Sequence, residues 1–361
     1  MLKHIQIQNF RSCLDTTFDL DLGLSAICGR NGVGKSNILK AIEWIAASLI
    51  TMDRIKLGRS GFASAKQSSI KMRICLDEKV YSYAIDLSVS QSSQRVGLDV
   101  VESLSILTKS GASDLLFDRR FDQIHVMHRN ESFRVPPFTP ALAALASLLP
   151  MDDPIRSDVD RITQFLATIR YYSLEDTVGS RNEVTEQVYQ DWKNRYESEG
   201  ESTHSVLLRL VYLKHELPDL FQELLSILGE DGLGLINRIE VTPVDVSTSD
   251  EPTKDLGRTK TKFYLLMFGP AKSMGGSGFP FSFSELSSGT RRVLRIITSM
   301  LFDKRSLMLI EQPEDSVHPG LLRKLIDLLR TYSNESQILF TTHSPEVMDI
   351  LRTLVPRSCF L

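Results

Sequence analysis

Apolar and polar positions alternate from the first residues, Met1-Leu2-Lys3-His4-Ile5-Gln6-Ile7-Gln8, and this predicts a strand over Leu2–Phe10. Leu24–Cys28 is a short run of the kind found in a buried strand. After a glycine-rich turn over Gly29–Gly34 the period lengthens. Ile38, Ile42, Ile45 and Leu49 then share one face of a helix expected from about Ser36 to Leu49. Alternation returns over Ile70–Cys75 and Val80–Ile85, within a strand-rich stretch from Ser69 to Leu107, and implies antiparallel strands with one face in water.

The middle of the chain takes on helical spacing, over Pro140–Leu149, Ile155–Tyr171 and Ser205–Leu228. The polar run Thr185–Glu201 reads as a helix or a mobile arm. Strands are expected again at Ile236–Val246 and Lys262–Phe268, with a polar loop around Ser247–Lys254 between them and a glycine-rich stretch, Gly269–Gly278, after them. Then helix Thr290–Phe302, strand Leu307–Ile310, helix Pro319–Tyr332, strand Gln337–Thr342 and a helix from Pro345 follow in turn. Such alternation implies a parallel sheet with covered faces. The expected organisation is an N-terminal lobe over 1–110, a mainly helical insertion over 111–235 and a C-terminal lobe over 236–361.

Composition changes this picture little. Hydrophobic residues are 42% and charged residues 24% of 361, an ordinary globular balance. No run approaches the roughly 20 apolar residues of a membrane span, and the N-terminus lacks a signal peptide's apolar core. Cys13, Cys28, Cys75 and Cys359 show no C-x-x-C spacing, which argues against a zinc site and suits a reducing compartment. The protein is expected in the cytoplasm. A net charge of −3 gives no global reason to expect nucleic acid.

Four segments carry chemistry. Gly29-Arg30-Asn31-Gly32-Val33-Gly34-Lys35-Ser36 matches G-x-x-x-x-G-K-[ST] between a predicted strand and a predicted helix. Its glycines let backbone N–H groups close around phosphates, Lys35 would reach the β- and γ-phosphates, and the Ser36 hydroxyl would ligate Mg²⁺. Leu286-Ser287-Ser288-Gly289-Thr290-Arg291 is a small-residue turn opening a helix. Taken alone it is either an anion site or a plain N-cap. The apolar strand Leu307–Ile310 ends in Glu311-Gln312-Pro313-Glu314-Asp315, and an acid there can hold Mg²⁺ through water. Gln312, a neutral amide, can orient water but cannot accept a proton as a carboxylate would. His343 ends the next strand, where a lone histidine is also an ordinary surface residue.

Taken in order, these motifs resemble the RecF/SMC/OLD branch of ABC-type ATPases, in particular the short stand-alone AAA_21/AAA_15 type. The residues that carry the resemblance are Ile7–Ser12, Gly34–Asn37, Leu286–Gly289, Glu311–Glu314 with His318-Pro319, and Thr342–Pro345. It implies an α/β P-loop fold that binds ATP and Mg²⁺ through Lys35, Ser36, Asn37 and Glu311, with Arg11 on the phosphates and His343 as switch histidine. It also implies that Ser287, Ser288 and Gly289 contact a nucleotide held by a second copy, forming a homodimer around ATP. ABC heads mostly carry Asp-Glu where this chain has Glu311-Gln312, so slow hydrolysis is expected, with Glu314 or Asp315 as alternative carboxylates. Short relatives imply a partner effector, a nuclease or toxin, in anti-phage defence. A RecF-like DNA-binding role is the alternative, with Arg119, Arg120, Arg129, Arg134, Lys254, Arg258, Lys260 and Lys262 as its basic residues. A purely structural ATP-bound dimer is a third reading. The long coiled coils and C-x-x-C hook of SMC-type repair proteins and the Toprim domain of OLD enzymes have no counterpart in these 361 residues.

Overall fold

The computed structural model describes residues 1–49, 67–92, 95–108, 111–136, 139–173, 183–199, 205–246, 261–270, 280–303 and 307–354. Along the chain it runs β1 (Leu2–Phe10), β2 (Cys13–Asp19), β3 (Leu24–Cys28), α1 (Lys35–Leu49), β4 (Gln67–Leu76), β5 (Lys79–Ser92) and β6 (Arg95–Leu107). Then come β7 (Ser113–Arg120), β8 (Gln123–Val126), β9 (Glu131–Arg134), α2 (Ala141–Leu148), α3 (Arg156–Ala167) and β10 (Ile169–Tyr172). β11 (Glu183–Thr185), α4 (Glu186–Glu199), α5 (Val206–Glu216), α6 (Pro218–Leu228), β12 (Ile236–Val246) and β13 (Thr261–Pro270) follow. The last elements are α7 (Ser288–Phe302), β14 (Leu307–Glu311), α8 (Pro319–Tyr332), β15 (Gln337–Thr342) and α9 (Pro345–Leu354).

The chain divides into two compact units, one of residues 1–173, 305–312 and 329–361, the other of 174–304 and 313–328. The first holds an eight-stranded sheet, β2-β1-β4-β5-β6-β7-β8-β9, and a four-stranded sheet, β10-β14-β15-β3. Every pairing in the first sheet is antiparallel and every pairing in the second is parallel. Ile38, Leu39, Ile42 and Ile45 of α1 join Ile5 and Ile7 of β1 and Leu307, Leu309 and Leu339 of the parallel sheet in one buried core. That core explains the helical period of α1: its apolar stripe packs among strands of both sheets. Among the described residues no helix is long and apolar enough to cross a membrane.

Two local expectations change, and one open alternative closes. The helical spacing over Ile155–Tyr171 ends at Ala167, and Ile169–Tyr172 is instead an edge strand beside β14. The stretch Ser205–Leu228 is two helices, capped by Ser205 and restarted at Pro218. Proline has no N–H to continue a helix but suits the first position of a new one. In the polar run, Thr185 ends β11 and Glu186–Glu199 is helix, one of the two alternatives the sequence left open. The polar loop at 247–254 and most of the glycine-rich stretch lie outside the described residues.

In the second unit, β11-β13-β12 form a three-stranded antiparallel sheet. Trp192 and Tyr196 of α4 stack at 5.3 Å between centroids, and Tyr212 and Phe302 close around them. Buried Arg209 ties α5 to the end of α7, bonding Ser299 Oγ at 2.8 Å and Asp303 at 2.9 Å.

Candidate functional site at the strand ends

Parallel pairing brings three chain segments to one end of the four-stranded sheet. Cys28 lies opposite Thr342 and Glu311 opposite Thr341, so the glycine loop, Gln312 and His343 all leave from the carboxyl ends of adjacent strands. Ligands of open α/β sheets bind at that end. The loop is fixed by Gly29 N–H donating to the Thr342 carbonyl at 3.3 Å. Gly34 has φ +101°, a conformation that requires glycine, and a Cβ there would lie 2.4 Å from Ser12 Oγ, so a side chain would also displace that hydroxyl.

Lys35 is only 6% exposed, and its Nζ donates to the carbonyls of Gly29 (2.8 Å) and Arg30 (2.9 Å). A cleft of about 380 Å³ opens beside it, lined by Asn31, Gly32, Gly34, Lys35, Ser36, Asn37 and Gln312. Val33 stands largely exposed. Asn37 knits the first turn of α1 to the β1–β2 turn: its amide donates to Ser12 Oγ at 2.8 Å and accepts from Arg11 Nη1 at 3.4 Å. Arg11 Nε is buried without a hydrogen-bond partner among the described residues. The sequence named Arg11, but gave no reason to see Ser12 as the atom that Gly34 must admit.

At the end of β14, Gln312 takes φ 41°, a left-handed conformation rare outside glycine, and its N–H donates to the Thr341 carbonyl at 3.1 Å. Its side-chain nitrogen is 3.2 Å from His343 Nδ1. With the amide as donor, Nδ1 accepts and the ring proton sits on Nε2. Glu311 Oε1 is buried and has no hydrogen-bond partner among the described residues. Behind it, burial lifts the Glu43 carboxyl above its ordinary value; Lys40 and Arg11 oppose this, and Glu311 reinforces it.

The Ser287–Gly289 turn belongs to the second unit. Ser287 caps α7, its Oγ accepting from Thr290 N–H at 3.1 Å, so the capping reading is realised. Ser287 and Ser288 are nevertheless exposed at the helix N-terminus. A Cβ on Gly289 would come within 2.2 Å of the Ser316 carbonyl oxygen, so glycine here admits the chain that follows Glu314. Glu314 is buried, and Asp315 faces Arg292 at 3.8 Å.

The basic residues are paired with acids. Arg119 is wholly buried against Glu102. Arg120 meets Asp118 (3.3 Å), Arg129 meets Glu131 (2.9 Å) and Asp153 (3.0 Å), Arg134 meets Asp122 (2.7 Å), and Lys262 lies 4.0 Å from Glu186. Lys254, Arg258 and Lys260 lie outside the described residues.

A strand, a glycine loop and a helix that buries a lysine, set beside an acidic strand end, define the nucleotide-binding core of a P-loop protein. Comparison with known proteins refines that class. Residues 188–349 match the family model "AAA domain, putative AbiEii toxin, Type IV TA system", and residues 1–113 match "AAA ATPase domain". The DNA double-strand break repair Rad50 ATPase of Archaeoglobus fulgidus is 34% identical over 114 residues, 30% of this chain and 12% of that one. The DNA replication and repair protein RecF of Streptococcus pneumoniae is 33% identical over 88 residues, 22% of this chain and 24% of the relative. The matches therefore span a quarter or less of these relatives' lengths. Among solved structures, an SMC head bound to the C-terminal winged-helix domain of ScpA aligns over 97% of this chain and 92% of that one, at 13% identity and TM-score 0.47. The SMC head domain of Thermotoga maritima aligns over 97% and 91%, at 14% identity and TM-score 0.44. The two family models and the partial matches to Rad50 and RecF support an ATPase of the RecF/Rad50 kind.

Proposed function

We propose that the chain binds ATP with Mg²⁺ in the cleft beside Lys35, closes head to head with a second copy around the nucleotide, and hydrolyses it slowly. Opening and closing would switch a partner effector, a nuclease or toxin, in prokaryotic anti-phage defence. The nucleotide reading is carried by Lys35. A buried ammonium is costly unless charge or dipoles compensate it, and Lys35 is held by two loop carbonyls at the wall of an open cleft. A phosphate entering there completes the compensation.

Ser36 and Glu311 would hold Mg²⁺, which supplies charge neutralisation on the phosphates. The residues fit a hard cation by their donor chemistry: a hydroxyl on the first turn of α1 and a carboxylate at the end of β14. Gln312 would orient the attacking water and His343, with its proton on Nε2, would donate to the γ-phosphate. Since Gln312 takes no proton, the ATP-bound state is long-lived, which also suits an ATP-held scaffold. Ser287, Ser288 and Gly289 would meet the γ-phosphate held by the second copy, because a helix N-terminus favours an anion. The matched family's description, a putative toxin of a type IV TA system, associates such domains with toxin systems and names no partner effector. A RecF-like DNA clamp loses support where its arginines are paired with acids.

Lys35→Ala should abolish ATP binding in calorimetry while leaving the far-ultraviolet circular dichroism of the fold unchanged. Wild-type affinity in that variant contradicts the cradle.

A further inference from the structure

The β10–β14 pairing sets Tyr171 opposite Leu309. Side chains two residues apart on a strand share a face, so Tyr171, Leu309 and Glu311 lie on the same side of the sheet. That side is the one packed on α1, since Tyr171 and Leu309 belong to the same buried core as Ile38 and Ile42. Tyr171 is 9% exposed, and its hydroxyl is buried with no hydrogen-bond partner among the described residues. Glu311 Oε1 is in the same condition. One is a donor and the other an acceptor. The two are diagonal neighbours across the β10–β14 pairing, within reach of a side chain as long as tyrosine.

A buried hydroxyl left unpaired is a standing cost that phenylalanine would avoid at the same volume. The buried oxygen of Glu311 has no donor among the described residues. The ammonium of Lys35 is engaged by the loop carbonyls. We propose that Tyr171 is a positioning residue for Glu311: its phenol donates a hydrogen bond to Oε1 and fixes the carboxylate with the other oxygen presented to the metal's water. This rests on the reading of Glu311 as the acid that holds Mg²⁺. Tyr171 touches neither nucleotide nor metal; it acts through Glu311.

The test measures affinity for a non-hydrolysable ATP analogue by calorimetry, with Mg²⁺ and again in EDTA, and takes the ratio as the metal-dependent gain. Partners one shell behind a metal ligand typically change metal affinity about 10–100-fold. Tyr171→Phe should therefore reduce the gain about tenfold or more, leave affinity in EDTA unchanged, and add nothing in a Glu311→Gln background. A gain unchanged in Tyr171→Phe, or an equal loss with and without metal, overturns the proposal, the latter because it marks general damage to the cleft. Glu311→Gln separates the two readings. If it leaves the gain intact, the assignment of Glu311 fails and the proposal with it; if it removes the gain while Tyr171→Phe does not, only the proposal fails.

Discussion

Gln312 occupies the position after the acidic strand end with a left-handed backbone, lines the cleft and contacts His343. An amide so placed can hold water but supplies no base, and general-base help is typically worth roughly 10²–10⁴ in rate. Gln312→Glu should raise single-turnover hydrolysis within that range and barely change ATP affinity, since on the proposed reading Ser36 and Glu311 would still hold the metal. If that variant leaves the rate unchanged and Glu314→Gln abolishes it, the carboxylate lies at Glu314. The residue types of this site were legible because a phosphate loop tolerates few substitutes at Gly34, Lys35 and Ser36. The polar partners were not. Ser12 and Asn37 meet through folding of the β1–β2 turn onto α1, and no spacing rule encodes a contact between residues 25 apart.

At the scale of elements, β7 to β9 and the turn between β8 and β9 extend the antiparallel sheet and carry the arginines of the alternative, DNA-binding reading. Arg119 is buried with Glu102, which also accepts from the Tyr83 hydroxyl at 2.6 Å and from Ala141 N–H at 3.1 Å. Removing one partner of such a pair strands the other charge, typically at about 3–5 kcal/mol. Arg119→Ala should lower unfolding stability by about that amount in urea titration. A stable variant with weakened DNA binding would instead return Arg119 to the basic groove. The sequence could not reveal this pairing, since a strand arginine reads alike whether it faces water or a buried carboxylate. β10 was misread for a related reason: Ile169-Arg170-Tyr171-Tyr172 continues a helical period, and only its pairing with β14 makes it a strand. Strands β14 and β15 were readable because continuous apolar runs between amphipathic helices leave few alternatives.

For the whole molecule, order along the chain predicted the parallel sheet but not its membership, because β3, β10, β14 and β15 come from distant segments. The two units also separate the motifs, with the glycine loop in the first and the Ser287–Gly289 turn in the second. A direct probe of the turn through Gly289 is compromised, since any side chain there meets the Ser316 carbonyl within the same unit. Ser288 is the better site: it is exposed and is the first residue of α7. An aspartate there favours the isolated helix, by typically 0.3–1 kcal/mol, yet repels a phosphate presented by another copy.

The measurement that bears most directly on the ATP-bridged dimer is mass in solution by light scattering, with Mg²⁺ and a non-hydrolysable ATP analogue, for wild type and Ser288→Asp. The predicted result is a nucleotide-dependent doubling of mass in wild type, lost in Ser288→Asp although the single head still binds nucleotide and melts no lower. Wild-type mass that is indifferent to saturating nucleotide, or a Ser288→Asp protein that doubles as wild type does, contradicts it.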